Sequence, residues 1–143
     1  MRKYVWLLVL LVFSTAGYAG QYKTIKDAEV HYVVFNSTFL TPEVARSYGL
    51  KRNDTIAIVN ISVLDRASLG KPAMSAEITG EAKNLIGQTK KLDFKEIKEG
   101  DAIYYLAQFS ITNEERYQFT IDVDAGMKGR GPISFSQQLY TEK

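Results

Sequence analysis

The feature that most constrains the fold of this chain is the two-residue period with which apolar side chains recur. In the segment 117–123, Tyr117, Phe119, Ile121 and Val123 alternate with polar residues. Such alternation puts the apolar side chains on one face of an extended strand, whereas a half-buried helix has a period of about 3.6 residues. The chain therefore predicts β-strands with one buried and one solvated face.

Seven segments are predicted to be strands, by alternation or by a short apolar run. They cover residues 28–35, 55–64, 73–82, 91–97 and 102–111, the segment around 117–123, and residues 133–140. Short strands separated by turn residues are typical of antiparallel sandwiches. We expect an all-β fold, an immunoglobulin-like β-sandwich of about seven antiparallel strands.

One segment, residues 41–49, breaks the strand pattern. It has Thr41 before Pro42, an early Glu43 and a final Gly49. Threonine caps first-turn amides, proline suits the first helical position, and glycine commonly ends a helix. This combination predicts one short helix directly after the first predicted strand.

The fifth predicted strand is apolar on both faces, because Tyr104 and Leu106 alternate with its inward side chains. In a two-layer sandwich the outer face of a strand is normally solvated. Val44 and Tyr48 share one side of the predicted helix, since they are four residues apart. We expect the helix to cap Tyr104 and Leu106, with the Asn36 side chain holding the turn before it.

The N-terminus predicts export. Two basic residues precede an apolar run at 5–13 and a stretch of small residues that ends near Ala19. This order is typical of a secretory signal peptide, and the run is shorter than the roughly 20 residues that span a bilayer. We expect residues 1–19 to be cleaved and residues 20–143 to form a single β-sandwich domain with no membrane span.

Composition limits the location and the partners. The chain has no cysteine, which excludes a cysteine-linked lipid anchor and a disulfide scaffold. It has 18 basic and 16 acidic residues, and loss of Arg2 and Lys3 would leave 16 of each. A balanced chain lacks the basic excess on which nucleic-acid binding depends. We expect a bacterial periplasmic protein that does not bind nucleic acid.

Four segments form a distinctive set: FNSTFL at 35–40, PEVARSYGL at 42–50, NLIGQ at 84–88 and EIKEGDAIYYLAQF at 96–109. In order and spacing they resemble the bacterial family known as domain of unknown function 4426 (DUF4426), small exported envelope proteins of Gram-negative bacteria. The resemblance covers essentially the whole chain after the signal peptide. It implies an envelope location and brings no established activity, so no functional residue is carried over.

The side chains that commonly carry catalysis are scarce. His31 is the single histidine of the chain, and cysteine is absent. Serine nucleophiles need a base such as histidine, and zinc sites need three or four His, Cys or carboxylate ligands. Met74 and Met127, which copper(I) would favour, are far apart in the sequence. We expect a protein that is not an enzyme and that holds no cofactor or metal.

Two pairs of carboxylates keep an alternative open. Asp122 and Asp124 share one side of the sixth predicted strand, and Glu77 and Glu81 share one side of the third. Paired carboxylates serve as general acid and base, although acidic residues on an alternating strand are usually its solvated face. A pocket that combined His31 with these pairs would favour a hydrolase or a small-ligand-binding protein.

A glycine-rich segment at 126–131 contains Lys128 and Arg130. Its backbone amides and two cations suggest an anion site. It lacks the lysine followed by serine or threonine, and the following helix, that a phosphate-binding loop requires. We interpret it as a hairpin tip.

Asp101 and Tyr105 stand at the start of the fifth predicted strand with three residues between them. This arrangement is similar to the tyrosine corner of immunoglobulin-like domains. We expect the Tyr105 ring to point inward and its hydroxyl to contact the backbone of the preceding turn. Asn36, Asp101 and Tyr105 are thus predicted to be structural.

The rim of the predicted cap contains Phe39, Leu40 and Arg46. The cap is either purely structural, or its rim docks a partner, because exposed apolar rims are typical of protein-binding sites. We therefore interpret the chain as a non-enzymatic periplasmic binding or accessory module that engages another envelope protein.

Overall fold

The computed structural model describes residues 21–141, so the predicted signal peptide at 1–19 lies outside the described residues. Nine strands form in this part of the chain: β1 Tyr22–Ile25, β2 Ala28–Asn36, β3 Ile56–Asp65, β4 Glu77–Asn84, β5 Thr89–Leu92, β6 Lys95–Glu99, β7 Ala102–Ser110, β8 Glu115–Asp124 and β9 Arg130–Leu139. One α-helix, α1, covers Pro42–Ser47, and 3-10 turns cover Ser37–Phe39 and Gly126–Lys128. No helix between residues 21 and 141 has the length and apolar character needed to cross a bilayer.

The strands form two antiparallel sheets. One has the order β1-β2-β3-β7-β6, and the other has the order β5-β4-β8-β9. Apart from β1, this is the A-B-E-D and C′-C-F-G arrangement of immunoglobulin-like domains. The predicted all-β sandwich, with a short helix after the first predicted strand, is confirmed.

The number of strands differs from the seven predicted. The pattern does not reveal β1, which has four residues and pairs with β2. The segment predicted as one strand at 91–97 forms β5 and β6, which belong to different sheets. The chain changes sheets at Asp93 and Phe94, which are in neither strand, and this explains why the alternation slips there.

The core lies between the two sheets. Phe109 on β7 meets the edges of Tyr117 and Phe119 on β8, with ring centroids 5.4 and 5.6 Å apart. Tyr32 on β2 stacks on Phe135 of β9 at 4.2 Å. These aromatic pairs connect the sheets, and Tyr117 and Phe119 are completely buried.

Residues 37–52, which we call the cap, follow β2. The Thr41 hydroxyl accepts a hydrogen bond from the Val44 amide at 3.2 Å, and Pro42 begins the helix, as predicted. Ala45 is the buried residue of α1. Val44, which was expected to pack on the sheet, is 37% exposed.

The cap lies on the outer face of the five-stranded sheet. The Gln108 side chain on β7 accepts from the Lys51 amide at 2.9 Å and donates to the Lys51 carbonyl at 2.6 Å. Lys95 on β6 donates to the carbonyl of Tyr48 at 2.8 Å. Three apolar residues are buried apart from the main core, on the cap and on the sheet face beneath it: Ala45, Ile58 and Leu106.

Tyr105 is buried, as predicted, but its hydroxyl has other partners. The hydroxyl accepts from the Ala76 amide at 2.9 Å and donates to Glu96 Oε2 at 2.8 Å. Asp101 is exposed. The expected contact with the turn before β7 is therefore wrong, because the segment leading into β4 brings Ala76 to this hydroxyl.

The tyrosine corner is formed by Tyr117 at the start of β8. Its hydroxyl accepts from the Thr112 amide at 3.2 Å and donates to Glu115 Oε1 at 2.8 Å. In the immunoglobulin-like arrangement β8 is strand F, where the tyrosine corner occurs. Asn113 precedes Tyr117 by the same spacing as Asp101 precedes Tyr105, so the spacing by itself could not discriminate between the two strands.

Asn36 does not hold the turn that follows it. Its side chain makes no capping bond to the 3-10 turn and instead donates to the Tyr140 carbonyl at 2.8 Å. It thereby connects the end of β2 to the C-terminal end of β9.

Candidate functional site

The cap rim, which we define as Phe39, Leu40 and Arg46, lies at one end of the sandwich. Phe39 is 73% exposed and stacks on Phe35 of β2, with centroids 6.2 Å apart and planes 9° apart. Leu40 is half-buried, and Arg46 is exposed in the last turn of α1. The three residues therefore occupy one segment, but Phe39 is its one prominent apolar side chain.

Hydrogen bonds to the segment between α1 and β3 fix the backbone of the rim. The buried Ser37 hydroxyl donates to the Asn53 carbonyl at 2.7 Å and accepts from the Asn53 amide at 2.9 Å. Arg52 donates through Nε to the Leu40 carbonyl at 2.7 Å and through Nη2 to the Thr38 carbonyl at 3.2 Å. The backbone on both sides of Phe39 is thus tied to the segment that follows the helix.

A shallow notch of about 290 Å³ separates the rim from the end of β9. Phe35 and Phe39 line one side, and Gln137 and Tyr140 line the other. Tyr140 is 55% exposed. The exposed aromatic surface at this end therefore includes Tyr140, which is at the limit of the last predicted strand and was not predicted as part of a site.

The same end carries a second apolar feature that sequence reasoning missed. Leu85 and Ile86 form the tip between β4 and β5 and are 81% and 78% exposed. Their sequence signal is two adjacent aliphatic residues just before Gly87, at a turn where polar residues are usual.

A larger groove lies on the uncapped part of the five-stranded sheet. It has a volume of about 810 Å³. His31, Ser62 and Tyr104 form part of its floor, and the loop Gly70–Ala73 and the turn at Asp101 form part of its walls. This groove contains the single histidine of the chain.

His31 belongs to a charged cluster beside the groove. Its Nε2 donates to Glu29 Oε1 at 2.7 Å, and Lys71 Nζ donates to Glu29 Oε2 at 3.1 Å. Glu29 is 6% exposed. The hydrogen bond from His31, followed by that from Lys71, lowers the pKa of Glu29 below its ordinary value despite burial. Lys71 adopts a left-handed backbone conformation (φ 46°).

A serine, a histidine and a carboxylate are close together here, but they do not form a catalytic triad. Ser62 pairs directly with His31 across β2 and β3. Its hydroxyl donates to the Ile103 carbonyl at 3.5 Å, while His31 Nε2 is bonded to Glu29. A triad needs the base bonded to the nucleophile. The arrangement is that of a polar groove floor.

The carboxylate pairs lie on the opposite sheet. Glu77, Asp122 and Asp124 line a separate cleft of about 380 Å³, and Asp124 forms an ion pair with Arg130 at 2.8 Å. Glu81 does not line this cleft and pairs across the strands with Thr120. His31 and the acidic pairs therefore do not share a pocket.

The cations of the glycine-rich segment both have carboxylate partners. Lys128 pairs with Asp65 at 3.0 Å, and its carbonyl accepts from the Asp27 amide at 2.8 Å. Gly129 (φ 148°) lies so close to the Ile25 carbonyl that a Cβ would clash with it. The segment is packed against the β1–β2 turn, and this close approach explains Gly129 without an anion.

The side chains that could bind a metal ion do not lie together. Met74 packs against the core, whereas Met127 is 89% exposed. Between residues 21 and 141, no group of three or more His, Asp or Glu side chains is arranged to hold a metal ion.

Comparisons with known proteins identify the family. The family model described as domain of unknown function (DUF4426) matches residues 22–142. The crystal structure of a DUF4426 family protein from Pseudomonas aeruginosa PAO1 is 37% identical, covers 86% of this chain and 96% of its own, and has a TM-score of 0.76. No curated protein matches the chain.

More distant structures share the fold. FetP of uropathogenic Escherichia coli strain F11, recombinantly expressed in the periplasm, is 14% identical with a TM-score of 0.58, and covers 87% of this chain and 96% of its own. A copper-bound variant of FetP is 18% identical with a TM-score of 0.53, and covers 87% and 90%. At these identities the likeness concerns the sandwich alone. On the match over residues 22–142, the chain belongs to the DUF4426 family.

Proposed function

We propose that this protein is an exported, non-catalytic binding module of the bacterial envelope, which engages another envelope protein through the cap rim. The observation that carries the proposal is the exposure of Phe39, at 73%, on a backbone that hydrogen bonds hold in place. Partner surfaces are commonly organised around a few aromatic anchors.

The rigidity of the rim favours binding. An anchor on a mobile loop loses conformational freedom when it binds, whereas an anchor that is already held loses little. Ser37 and Arg52 fix the backbone on both sides of Phe39. Arg46 and Tyr140, both exposed, would supply polar and aromatic contacts around it.

Two features support the envelope location. The N-terminal sequence has the order of a signal peptide. FetP, which shares the fold, was recombinantly expressed in the periplasm. The non-catalytic role is supported by the separation of His31 from the carboxylate pairs and by the bonding of Ser62 to a backbone carbonyl.

Site-specific photo-crosslinking in cells tests the proposal. A photo-reactive phenylalanine analogue replaces Phe39 in one variant and Leu69 in a control, because Leu69 is fully exposed and lies far from the rim in the loop after β3. We expect a discrete crosslinked envelope protein from position 39 and none from position 69. Equal products at both positions, or none at 39, would contradict the proposal.

A double variant separates binding from stability. Phe39→Ser with Leu40→Ser should abolish the crosslink product when the photo-reactive residue is placed at Arg46. The melting temperature of the double variant distinguishes a docking role of the rim from a structural one. Loss of crosslinking at an unchanged melting temperature supports docking, whereas a large fall in the melting temperature would mean that the rim is structural.

The groove on the five-stranded sheet favours a second candidate, a small-ligand-binding protein. Ser62→Phe would obstruct the floor of this groove, and Thr79→Phe is the matched control on the outer face of the other sheet. In a thermal-shift screen of small molecules, a groove ligand would stabilise the wild type and Thr79→Phe but not Ser62→Phe. Retained stabilisation of Ser62→Phe would exclude the groove.

A further inference from the structure

The β4–β5 tip, which we define as Asn84–Gln88, presents two adjacent aliphatic side chains to solvent. Leu85 and Ile86 are 81% and 78% exposed. Single exposed aliphatic residues are common, but two neighbours at the end of a hairpin form a small apolar projection. Neither residue contributes to the core cluster.

Hydrogen bonds make this tip rigid. The Asn84 side chain, which is 5% exposed, accepts from the Gln88 amide at 2.8 Å and donates to Gln88 Oε1 at 2.9 Å. The Asn84 amide donates to the Gln88 carbonyl at 3.0 Å. Gly87 has a φ of 87°, which a residue with a side chain rarely adopts. Leu85 and Ile86 are therefore held outward by the turn itself.

The strand register places the tip at the same end of the sandwich as the cap rim. Asn84 at the end of β4 pairs with Tyr117 near the start of β8, and Glu115 pairs with Leu139 at the end of β9. Tyr140 follows Leu139 and bonds to Asn36. Exposed aromatic and aliphatic residues thus project from one end.

Lysines flank the tip on its own hairpin, and the carboxylates of this hairpin lie further from it. Residues 82–92 contain Lys83, Lys90 and Lys91 and no acidic residue. A separate cleft of about 390 Å³ lies beside Leu85 and is lined by Glu114, Glu115 and Arg116, from β8 and the turn before it. Glu115 accepts a hydrogen bond from the Tyr117 hydroxyl. Lys91 lies opposite Glu81 and forms an ion pair with Asp93 at 3.8 Å. The lysines nearest the tip, at 83 and 90, lie opposite uncharged residues in the β4–β5 pairing.

We propose that the β4–β5 tip is an interfacial anchor that inserts Leu85 and Ile86 into the surface of an anionic phospholipid bilayer. The tip projects outward, and leucine is under-represented among protein hot spots, which disfavours a protein partner for it. Aliphatic side chains flanked by lysines suit the boundary between acyl chains and anionic headgroups. The lysine stems reach along the apolar surface while their ammonium groups stay at the headgroups.

The proposal does not depend on a protein partner for the cap rim. Because the charges over the chain are balanced, there is no long-range electrostatic attraction to the membrane. Binding therefore depends on the residues of the tip itself. Apolar insertion supplies the main driving force, and the lysines add a component that salt screens.

The test uses single cysteines, which the cysteine-free chain permits. Protein recovered from cells expressing the whole chain carries Ile86→Cys or, as the control, Leu69→Cys, each labelled with the same environment-sensitive fluorophore. Leu69 is fully exposed in the loop after β3. The probes are vesicles of phosphatidylethanolamine and phosphatidylglycerol at 3:1, and vesicles of phosphatidylcholine alone, with and without lipids that carry a quencher in the acyl chain.

We expect a blue shift and quenching at position 86 and neither at position 69, with several-fold weaker binding to phosphatidylcholine. Leu85→Ser in the Ile86→Cys protein should reduce the quenching at least threefold. Absence of quenching at position 86, or equal quenching at both positions, would overturn the proposal. Binding to a membrane protein but not to protein-free vesicles would also overturn it and assign the tip to a protein partner.

Discussion

The two sheets of the sandwich differ in what lies on their outer faces. On the four-stranded sheet, β4 and β8 alternate buried and exposed residues along nearly their whole length, and the outer face is polar. On the five-stranded sheet, β3 has three consecutive buried residues, Ala57, Ile58 and Val59, because the cap covers the outward Ile58. A break in alternation therefore marks the place where a third layer of chain covers a sheet.

The largest expected effect compares these outer faces directly. Ile58→Ala removes a side chain with no exposure, so it should lower the free energy of unfolding by about 2–5 kcal/mol. Thr79→Ala, on the exposed face of β4, should change it by no more than about 0.5 kcal/mol. Urea unfolding measures both values. Similar losses for the two variants would mean that the cap does not form a second apolar layer.

The next prediction compares one buried hydroxyl from each sheet. Tyr105→Phe and Tyr117→Phe each remove a hydroxyl that makes two hydrogen bonds. Each should cost about 1 kcal/mol or more, because a backbone amide loses its acceptor. Burial is the leading cause of the raised pKa of both hydroxyls, consistent with their enclosed positions. Thermal or urea unfolding measures the loss. If a variant is as stable as the wild type, the hydroxyl of the replaced tyrosine is bonded to water in the wild-type protein instead.

A smaller effect concerns the charged cluster at the uncapped part of the five-stranded sheet. The pKa of Glu29 in the folded protein is below its ordinary value of 4.5, so the unfolded chain binds a proton more readily in that range. Its contribution to stability is therefore present above pH 4.5 and is lost as the pH falls through the lower, folded-state pKa. The melting temperature is measured at intervals of about one pH unit between about pH 3 and about pH 6. On acidification it should fall less steeply in Glu29→Gln than in the wild type.

The matched control for this prediction is Glu77→Gln, which changes an exposed carboxylate on the outer face of the four-stranded sheet. It should retain the pH dependence of the wild type. If Glu29→Gln also retains it, the pairs that join Glu29 to His31 and Lys71 do not contribute to acid sensitivity.

The smallest effect is expected at the cap rim. Phe39→Ser should change the free energy of unfolding by about 0.5 kcal/mol or less, because the side chain is 73% exposed. Denaturant unfolding provides the measurement, and Leu69→Ser is the fully exposed control. A loss comparable to that of Ile58→Ala would place Phe39 inside the second apolar layer and remove the reason to regard it as a docking residue.

The class of fold and most of the strands can be predicted from patterns along the chain. The alternation along 117–123 predicts β8 because burial of one face imposes a period of two, and Thr41 with Pro42 predicts α1 because capping depends on adjacent residues. The single histidine and the absence of cysteine also limit the candidate sites, because triads and zinc sites are built from these side chains. These are local properties or counts, which a chain carries without reference to its fold.

Which residues meet across the fold became known only from the three-dimensional structure. It assigned the tyrosine corner to Tyr117 instead of Tyr105, because the same spacing occurs in both and only the sheet order distinguishes strand F. It brought Glu29 and Lys71, which are 42 positions apart, to one charged cluster with His31, and it put the acidic pairs on the other sheet. It also gathered Phe39, Leu85, Ile86 and Tyr140 at one end. Such contacts depend on strand order and register, which local patterns do not specify.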